Sequence, residues 1–470
     1  MIPLFCALLS AVGFYFSLGL GDLWWLAWFA AVTVLWLAFG ETKGWHIFLA
    51  SFVAMALGRT SILRAYSGSL PPFVLVLSIC GIALGFSGCV MRARRIYRTF
   101  GPVTALFTFA VLWTAFDFLV SFSSASGSVT TPAAAEVGMP VLIQSASLVG
   151  YLGITFLLGI VPADIAASLR TRTFPPVLIA GVLLATNTAY GFWCMSSQPS
   201  DTVHLALVAS DDAIGSYRHD DRTATLKALD AYVAVIDKLQ DTRIQLIVLP
   251  ENISRVAPQW REDVWARLRA LADRTHATVV AGFNTYVDDA QRNISWAFTP
   301  GAAQPVTYEK RSLVPGLESA VYTPGRGPVV LPNGVGLEIC KDMDFQAMLR
   351  KDMVQTKPSL LAVPAWDFDK DDWSHARIAV LRSVENGVPM ARTARDGLLT
   401  LNDRYGRMIA RSKSAAGFTV LIGDLPLYKR GGNTFYDVIG DVFGWLCVVL
   451  SVGPVAWPLV RARGSAERRA

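Results

Sequence analysis

The chain has 470 residues, of which 53% are hydrophobic and only 17% charged. Soluble domains usually carry about 25% charged residues. These values exclude a single ordinary soluble domain, a disordered chain, a collagen-like chain and a disulfide-rich mini-protein.

The apolar excess lies mostly before residue 200. A bilayer span needs roughly 20 mainly apolar residues. Runs of that kind are predicted at about 3–20, 23–40, 45–58, 72–91, 102–122, 142–166 and 176–195, with an eighth at about 439–460. The first does not read as a signal peptide: no Lys or Arg precedes it, and Trp24 and Trp25 open another apolar run. Loop charges set an orientation. Arg92, Arg94, Arg95 and Arg98, then Arg170 and Arg172, then Arg461, Arg463, Arg468 and Arg469 fall on one side with the N-terminus. The 123–140 loop falls on the other side without Lys or Arg, although Arg59 and Arg64 fall there too. The small-residue stretch Ser123–Ala135 reads as a flexible connection. The net charge of +6 is concentrated in these juxtamembrane arginines, which suit orientation and anionic headgroups, so it calls for no nucleic acid.

From about residue 202 short β-type runs alternate with amphipathic helical stretches. Strands are predicted at Val203–Val208, Ile244–Pro250, Ala277–Phe283, Val335–Cys340 and Leu360–Pro364. Helices are predicted at Thr223–Gln240, Gln259–Thr275 and Trp373–Asn386, and paired strands at Val388–Thr393 and Leu398–Asn402. This is an α/β domain outside the cytoplasm, which in a bacterial cell means the periplasm. The expected organisation is a membrane domain with seven helices over 1–198, a catalytic domain over 199–430, and a last span with a basic cytoplasmic tail over 431–470.

Five of the six cysteines lie in or beside apolar spans; Cys340 stands alone in the polar domain. With no domain partner for a disulfide, it is either a free nucleophile or an inert buried thiol. Glu251 follows Leu246-Ile247-Val248-Leu249-Pro250, the place where α/β proteins put their chemistry. Lys310 follows the short strand Val306–Glu309. Singly, each reads as a solvated loop charge. Together the three supply a base, a nucleophile and a cation for covalent acyl transfer.

The segments Leu249-Pro250-Glu251, Tyr308-Glu309-Lys310-Arg311-Ser312-Leu313-Val314-Pro315 and Glu338-Ile339-Cys340 resemble the nitrilase (carbon–nitrogen hydrolase) superfamily. The membrane layout, the stretch Arg382…Glu385-Asn386-Gly387-Val388-Pro389…Arg392…Gly397 and the lead-in Thr434-Phe435-Tyr436 resemble its bacterial apolipoprotein N-acyltransferase branch. That resemblance implies an αββα sandwich beside about eight transmembrane helices. It implies Cys340 as nucleophile, Glu251 as general base, Lys310 as transition-state stabiliser and Glu318 as a further active-site glutamate. It implies a phospholipid acyl chain passing through a Cys340 thioester to the amine of a diacylglyceryl-modified lipoprotein. Departures after the motifs, at Gly316-Leu317-Glu318-Ser319, Lys341-Asp342 and Trp366-Asp367, mark Lys341, Asp342 and Trp366 as supporting or substrate-binding residues. They keep open a membrane-anchored amidase, or transfer to a different amine acceptor.

Short links at Ser196–Thr202 and Lys429–Thr434 reach at most roughly 25 Å, which holds the domain near the leaflet. His46, His204, His219, His276 and His375 show no metal-ligand spacing, and neither metal nor cofactor is expected. The acidic run Asp367–Asp372 reads as a solvated loop. Asn252-Ile253-Ser254 and Asn293-Ile294-Ser295 match a glycosylation sequon. The expected partners are a phospholipid donor, an amine acceptor and the bilayer, with the protein a monomer in the inner membrane.

Overall fold

The computed structural model describes residues 1–68, 70–172, 175–212, 220–429 and 434–452. His219, the end of the eighth apolar run and the arginine-rich tail lie outside the described residues. The chain divides into two compact units. The first comprises 1–124, 130–195 and the residues from 438 on. The second comprises 125–129 and 196–437.

Among the described residues, five helices of the first unit are long and apolar enough to cross a membrane: Gly44–Tyr66, Pro72–Phe100, Pro102–Ser123, Leu152–Thr171 and Leu178–Met195. Helix Ile2–Ser17 is shorter, at 16 residues. The expected span at 23–40 is no continuous helix. It winds through i to i+3 bonds, from Leu26 to Leu23 and from Val32 to Phe29, and forms an α-helix only over Val32–Ala38. Its conformation is tied to a tertiary contact, because the Trp28 indole donates to buried Glu136 at 2.8 Å. The expected span at 142–166 is likewise interrupted at Gly150, whose φ is +71°, so its helix begins only at Leu152.

Two of the arginines expected at headgroups have structural work. Arg94 donates to the carbonyls of Ala38, Gly40 and Thr42 at 2.6–3.0 Å, and Arg170 to that of Trp36 at 2.8 Å. These carbonyls lie at the end of helix Val32–Ala38, where backbone acceptors have no partner within the helix.

Among the described residues, the second unit contains thirteen strands. They are β1 (Asp201–Ala209), β2 (Leu246–Val248), β3 (Arg255–Val256), β4 (Thr278–Val287), β5 (Ala290–Phe298), β6 (Val306–Glu309) and β7 (Val329–Val330), then β8 (Val335–Leu337), β9 (Leu360–Trp366), β10 (Met390–Arg395), β11 (Leu398–Asn402), β12 (Met408–Lys413) and β13 (Thr419–Leu427). One sheet runs β13-β1-β2-β4-β5-β6, with β3 beside β4; the other runs β12-β11-β10-β9-β8-β7.

Alternation along the strands assigns the layers. Leu205, Leu207, Val248 and Val280 of the first sheet pack with Leu337, Ala362, Ala391, Leu399 and Leu401 of the second. The outer face of the first sheet, with Ala206, Ile247, Val279 and Phe283, packs with Leu229, Tyr232, Leu268 and Leu271 of helices Arg222–Asp237 and Arg261–Thr275. The outer face of the second packs Leu361, Val363 and Met390 with Leu349, Met353 and Ala379 of helices Gln346–Thr356 and Asp372–Asn386. The unit is therefore the expected αββα sandwich, with period-2 strands burying both faces.

Beyond β2 the chain stays bonded to β4, with Gly282 N–H donating to Pro250 and Ile253 N–H to Gly282, while one bond reaches the other sheet. Leu249 N–H still donates to Val280, but Glu251 N–H donates across to Ala365 of β9. Gly282 on β4 is required there, since a Cβ would fall 2.6 Å from Glu251 Cα and from the Pro250 oxygen. Gly282→Ala is expected to destabilise the domain by about 1–3 kcal/mol through overpacking. A thermal-unfolding midpoint equal to that of the wild type would contradict this packing.

Candidate active site

Glu251, Lys310 and Cys340 each follow the end of a strand. Glu251 follows β2. Lys310 follows β6, its N–H donating to Asn293 and its carbonyl accepting from Gly325 at 2.8 and 2.9 Å. Glu318 sits on the turn after Val314, whose N–H donates to its Oε2 at 2.9 Å. Cys340 opens a 3₁₀ turn, Cys340–Asp344, rather than ending a strand. Its φ is +42°, a strained value for a residue with a Cβ, of the kind found at functional sites.

Lys310, Glu251 and Glu318 form one buried cluster. The Lys310 ammonium lies 2.8 Å from Glu251 Oε1 and 2.8 Å from Glu318 Oε2. Asn293 Nδ2 donates to both carboxylates, at 2.5 Å to Glu251 and 2.9 Å to Glu318. Burial disfavours the lysine charge, yet the two carboxylates hold Lys310 protonated well above the usual lysine range. Burial raises the Glu251 carboxyl despite Lys310, and the nearby Glu318 charge adds to this. Glu318 goes the other way: burial opposes its charge, but Lys310 and its hydrogen bonds hold it below the ordinary range. The proton affinity of the two carboxylates is thus concentrated on Glu251.

The Cys340 thiol donates to the Trp366 carbonyl at 3.6 Å. Burial, then the Glu251 charge, push its pKa well above the ordinary thiol range; Lys310 and Arg392 pull the other way. At rest Cys340 is therefore a thiol.

The supporting residues divide by environment. Asp342 is buried and accepts from the Tyr308 hydroxyl at 2.8 Å and from the Ser312 N–H at 2.8 Å. It joins the loop after Lys310 to the turn after Cys340. Lys341 is buried too, its ammonium 3.3 Å from Asp344 and 5.5 Å above the Phe345 ring. The Trp366 indole donates to Asp396 at 2.8 Å, and the Arg395 guanidinium stacks on its ring at 4.2 Å.

Three sequence expectations change. The run Asp367–Asp372 is not a solvated loop throughout, because Asp367 and Asp371 are buried. Asp367 pairs with Arg392 at 2.5 Å and Asp371 with His375 at 2.8 Å. Burial opposes the imidazolium, but Asp371 and Asp367 bring the His375 pKa up to about 9. Asn252 and Asn293 are also buried, which removes both as exposed sequon sites. Asn293 is the functional neighbour that sequence reasoning missed.

With this geometry in place, likeness to known proteins can be judged. No family model matches the chain. Apolipoprotein N-acyltransferases are similar to it over most of their length. That of Geobacter metallireducens is 22% identical over 84% of this chain and 85% of its own. That of Rhizobium rhizogenes is 25% identical over 89% and 87%, and that of Pasteurella multocida 23% over 99% and 92%. Among solved structures, a carbon–nitrogen hydrolase from Helicobacter pylori is 16% identical, with a TM-score of 0.39, over 48% of this chain and 89% of its own. A nitrilase-superfamily member from Saccharomyces cerevisiae is 17% identical, with a TM-score of 0.40, over 49% and 92%.

The electrostatics carry a testable consequence. Alkylation of Cys340 by iodoacetamide, followed by peptide mass spectrometry, should still accelerate with pH above pH 9, because burial and Glu251 keep the thiol protonated there. A plateau reached below pH 8 would contradict it. Over most of its length, then, the chain that carries these apolar helices, this four-layer domain and this buried cluster is similar to the apolipoprotein N-acyltransferases.

Proposed function

We propose that the protein transfers an acyl chain from a membrane phospholipid, through a thioester on Cys340, to the N-terminal amine of a diacylglyceryl-modified lipoprotein. The observation that carries this reading is the Lys310 ammonium held at 2.8 Å from both Glu251 and Glu318, with their charges bearing on the strained Cys340. The relatives that match over most of the chain are named apolipoprotein N-acyltransferases, which supports the acceptor in this reading. The chain is a membrane protein with apolar helices, so its acyl donor is at hand in the bilayer. In this reading the αββα unit faces the periplasm of the inner membrane, and the protein works as a monomer.

The proposed steps conserve atoms and protons. Glu251 takes the thiol proton as sulfur attacks the ester carbonyl. The oxyanion of the tetrahedral intermediate is stabilised by the Lys310 ammonium, in a site from which water is excluded. Collapse breaks the ester C–O bond, and the departing lysophospholipid alkoxide takes the proton from Glu251. The acceptor amine then attacks the thioester. Glu251 removes its proton and returns it to the departing sulfur. Two easier steps replace one slow aminolysis of an unactivated ester. Glu318 and Asn293 do not touch the reacting atoms in this scheme; they hold Lys310 and Glu251 in register.

Purified protein incubated with acyl-labelled phospholipid is expected to carry a thioester on Cys340, and Cys340→Ala to carry none. Glu251→Gln and Lys310→Met should each slow its formation by about a hundred- to ten-thousand-fold, the weight of a general base or an oxyanion partner. Near-normal rates in either variant would overturn the assigned roles. A thioester that water discharges and a lipoprotein peptide does not would replace the transferase with a hydrolase.

A further inference from the structure

The stretch Ser123–Ala135, expected to be a flexible connection, contains a short strap that belongs to the αββα unit: residues 125–129 group with it, although the residues on either side do not. The strap is tied to the turn that carries Cys340. Ser128 donates twice to the Asp344 carbonyl, through its N–H at 2.9 Å and its hydroxyl at 3.0 Å. Asp344 is the last residue of the 3₁₀ turn that Cys340 opens. Gly127 lies flat against the same peptide. Its φ is +56°, and a Cβ there would fall 2.3 Å from the Asp344 oxygen. The contact therefore requires glycine for both conformation and space.

The other side of the strap is fixed as firmly. The Ser128 hydroxyl accepts from Arg382 Nη2 at 2.8 Å. Arg382 is buried and paired with Glu385 on helix Asp372–Asn386, and Ser128 itself is buried. The Glu385 carbonyl in turn accepts from the Thr434 hydroxyl at 2.6 Å. One buried helical turn thus receives both the strap and the segment leading to the C-terminal apolar run. No nucleophile, base or cation lies in the strap. Its partners, however, are the turn of the nucleophile and a buried guanidinium, which a linker does not need.

We propose that Gly127 and Ser128 are positioning residues for the acyl-transfer reaction, holding the turn Cys340–Asp344 closed so that the half-buried thiol keeps its strained pose. The inference rests on Cys340 being the nucleophile. The turn is short and its first residue is in the left-handed region, so its closure has to be imposed from outside. Asp344 transmits the hold at both ends of its residue: its carbonyl is fixed by Ser128, and its carboxylate carries Lys341, the neighbour of Cys340. Loosening the strap lets the turn relax, exposes more of the thiol to water and moves its reactivity toward that of an ordinary cysteine.

The test uses the full-length protein in detergent and two readouts. The first is the rate of Cys340 alkylation by iodoacetamide at pH 8, which needs no substrate. The second is thioester formation from labelled phospholipid. Ser128→Ala is expected to speed alkylation by about fivefold, the weight of one net hydrogen bond, and to slow thioester formation by a similar factor with little change in KM. Ser128→Thr, which restores the hydroxyl, should return both toward the wild type. Gly127→Ala should exceed Ser128→Ala in both effects if it folds. If it does not fold, Ser128→Ala decides alone. A Ser128→Ala protein that melts like the wild type but shows unchanged or slower alkylation overturns the proposal. Failure of wild-type protein to form any thioester, with alkylation responding as expected, would instead overturn the phospholipid reading and leave the positioning role standing.

Discussion

The site depends on a lysine that has been taken out of water. An ammonium buried without partners costs several kcal/mol, and the structure offsets this with two carboxylates at 2.8 Å. The arrangement has a consequence beyond stability. Burial, with the Glu318 charge adding to it, makes Glu251 a better proton acceptor, and burial together with the Glu251 charge keeps the Cys340 thiol protonated at rest. The same cation stands ready for the charge that develops when a carbonyl is attacked. Base strength, a resting thiol and oxyanion stabilisation thus trace to one buried ion cluster.

Holding that cluster together is the task of the four-layer fold. Glu251, Lys310 and Cys340 come from the ends of three separate strands, so their geometry follows from sheet register rather than from local sequence. β2 and β6 lie in one sheet and the Cys340 turn follows β8 in the other. The bond from Glu251 N–H to Ala365 and the contacts of Asp342 with Tyr308 and Ser312 bridge these elements. Asn293, on β5, bonds both carboxylates at once and fixes their spacing. The requirement for glycine at position 282 is the steric counterpart of the same constraint.

Much of this is legible in the amino-acid sequence, for physical reasons. Period-2 apolar runs ending in Glu251 and Lys310 mark strand exits, and a lone domain cysteine stands out against five membrane ones. The four layers follow once both faces of the strands are read as buried. What escapes the sequence depends on contacts between distant residues. Asn293 looks like a sequon until its strand is seen to be buried. Asp367 and Asp371 look like solvent-facing charges until Arg392 and His375 are brought to them by β10 and the helix before it. The run 23–40 has the composition of a span, but Glu136 binds Trp28 and Arg94 caps the carbonyls, so tertiary bonds override helical continuity. Gly127 and Ser128 lie in a small-residue stretch that reads as a linker, and only Asp344 and Arg382, more than 200 residues on, give them a role.

The membrane and the site meet in the proposed chemistry. Apolar helices bring the chain to its ester donor, and a buried ion cluster allows an unactivated ester to be opened by a thiol that is inert at rest. The altered residues around the turn, Lys341 and Asp342 among them, leave the acceptor as the point on which the account turns. The most direct measurement is complementation in a bacterium depleted of its own apolipoprotein N-acyltransferase, with lipoprotein N-acylation read by mass spectrometry. The account predicts growth and N-acylated lipoproteins with the wild-type chain, and neither with Cys340→Ala. A wild-type chain that is expressed and inserted in the membrane, yet leaves lipoproteins without the amide-linked acyl group, would contradict it.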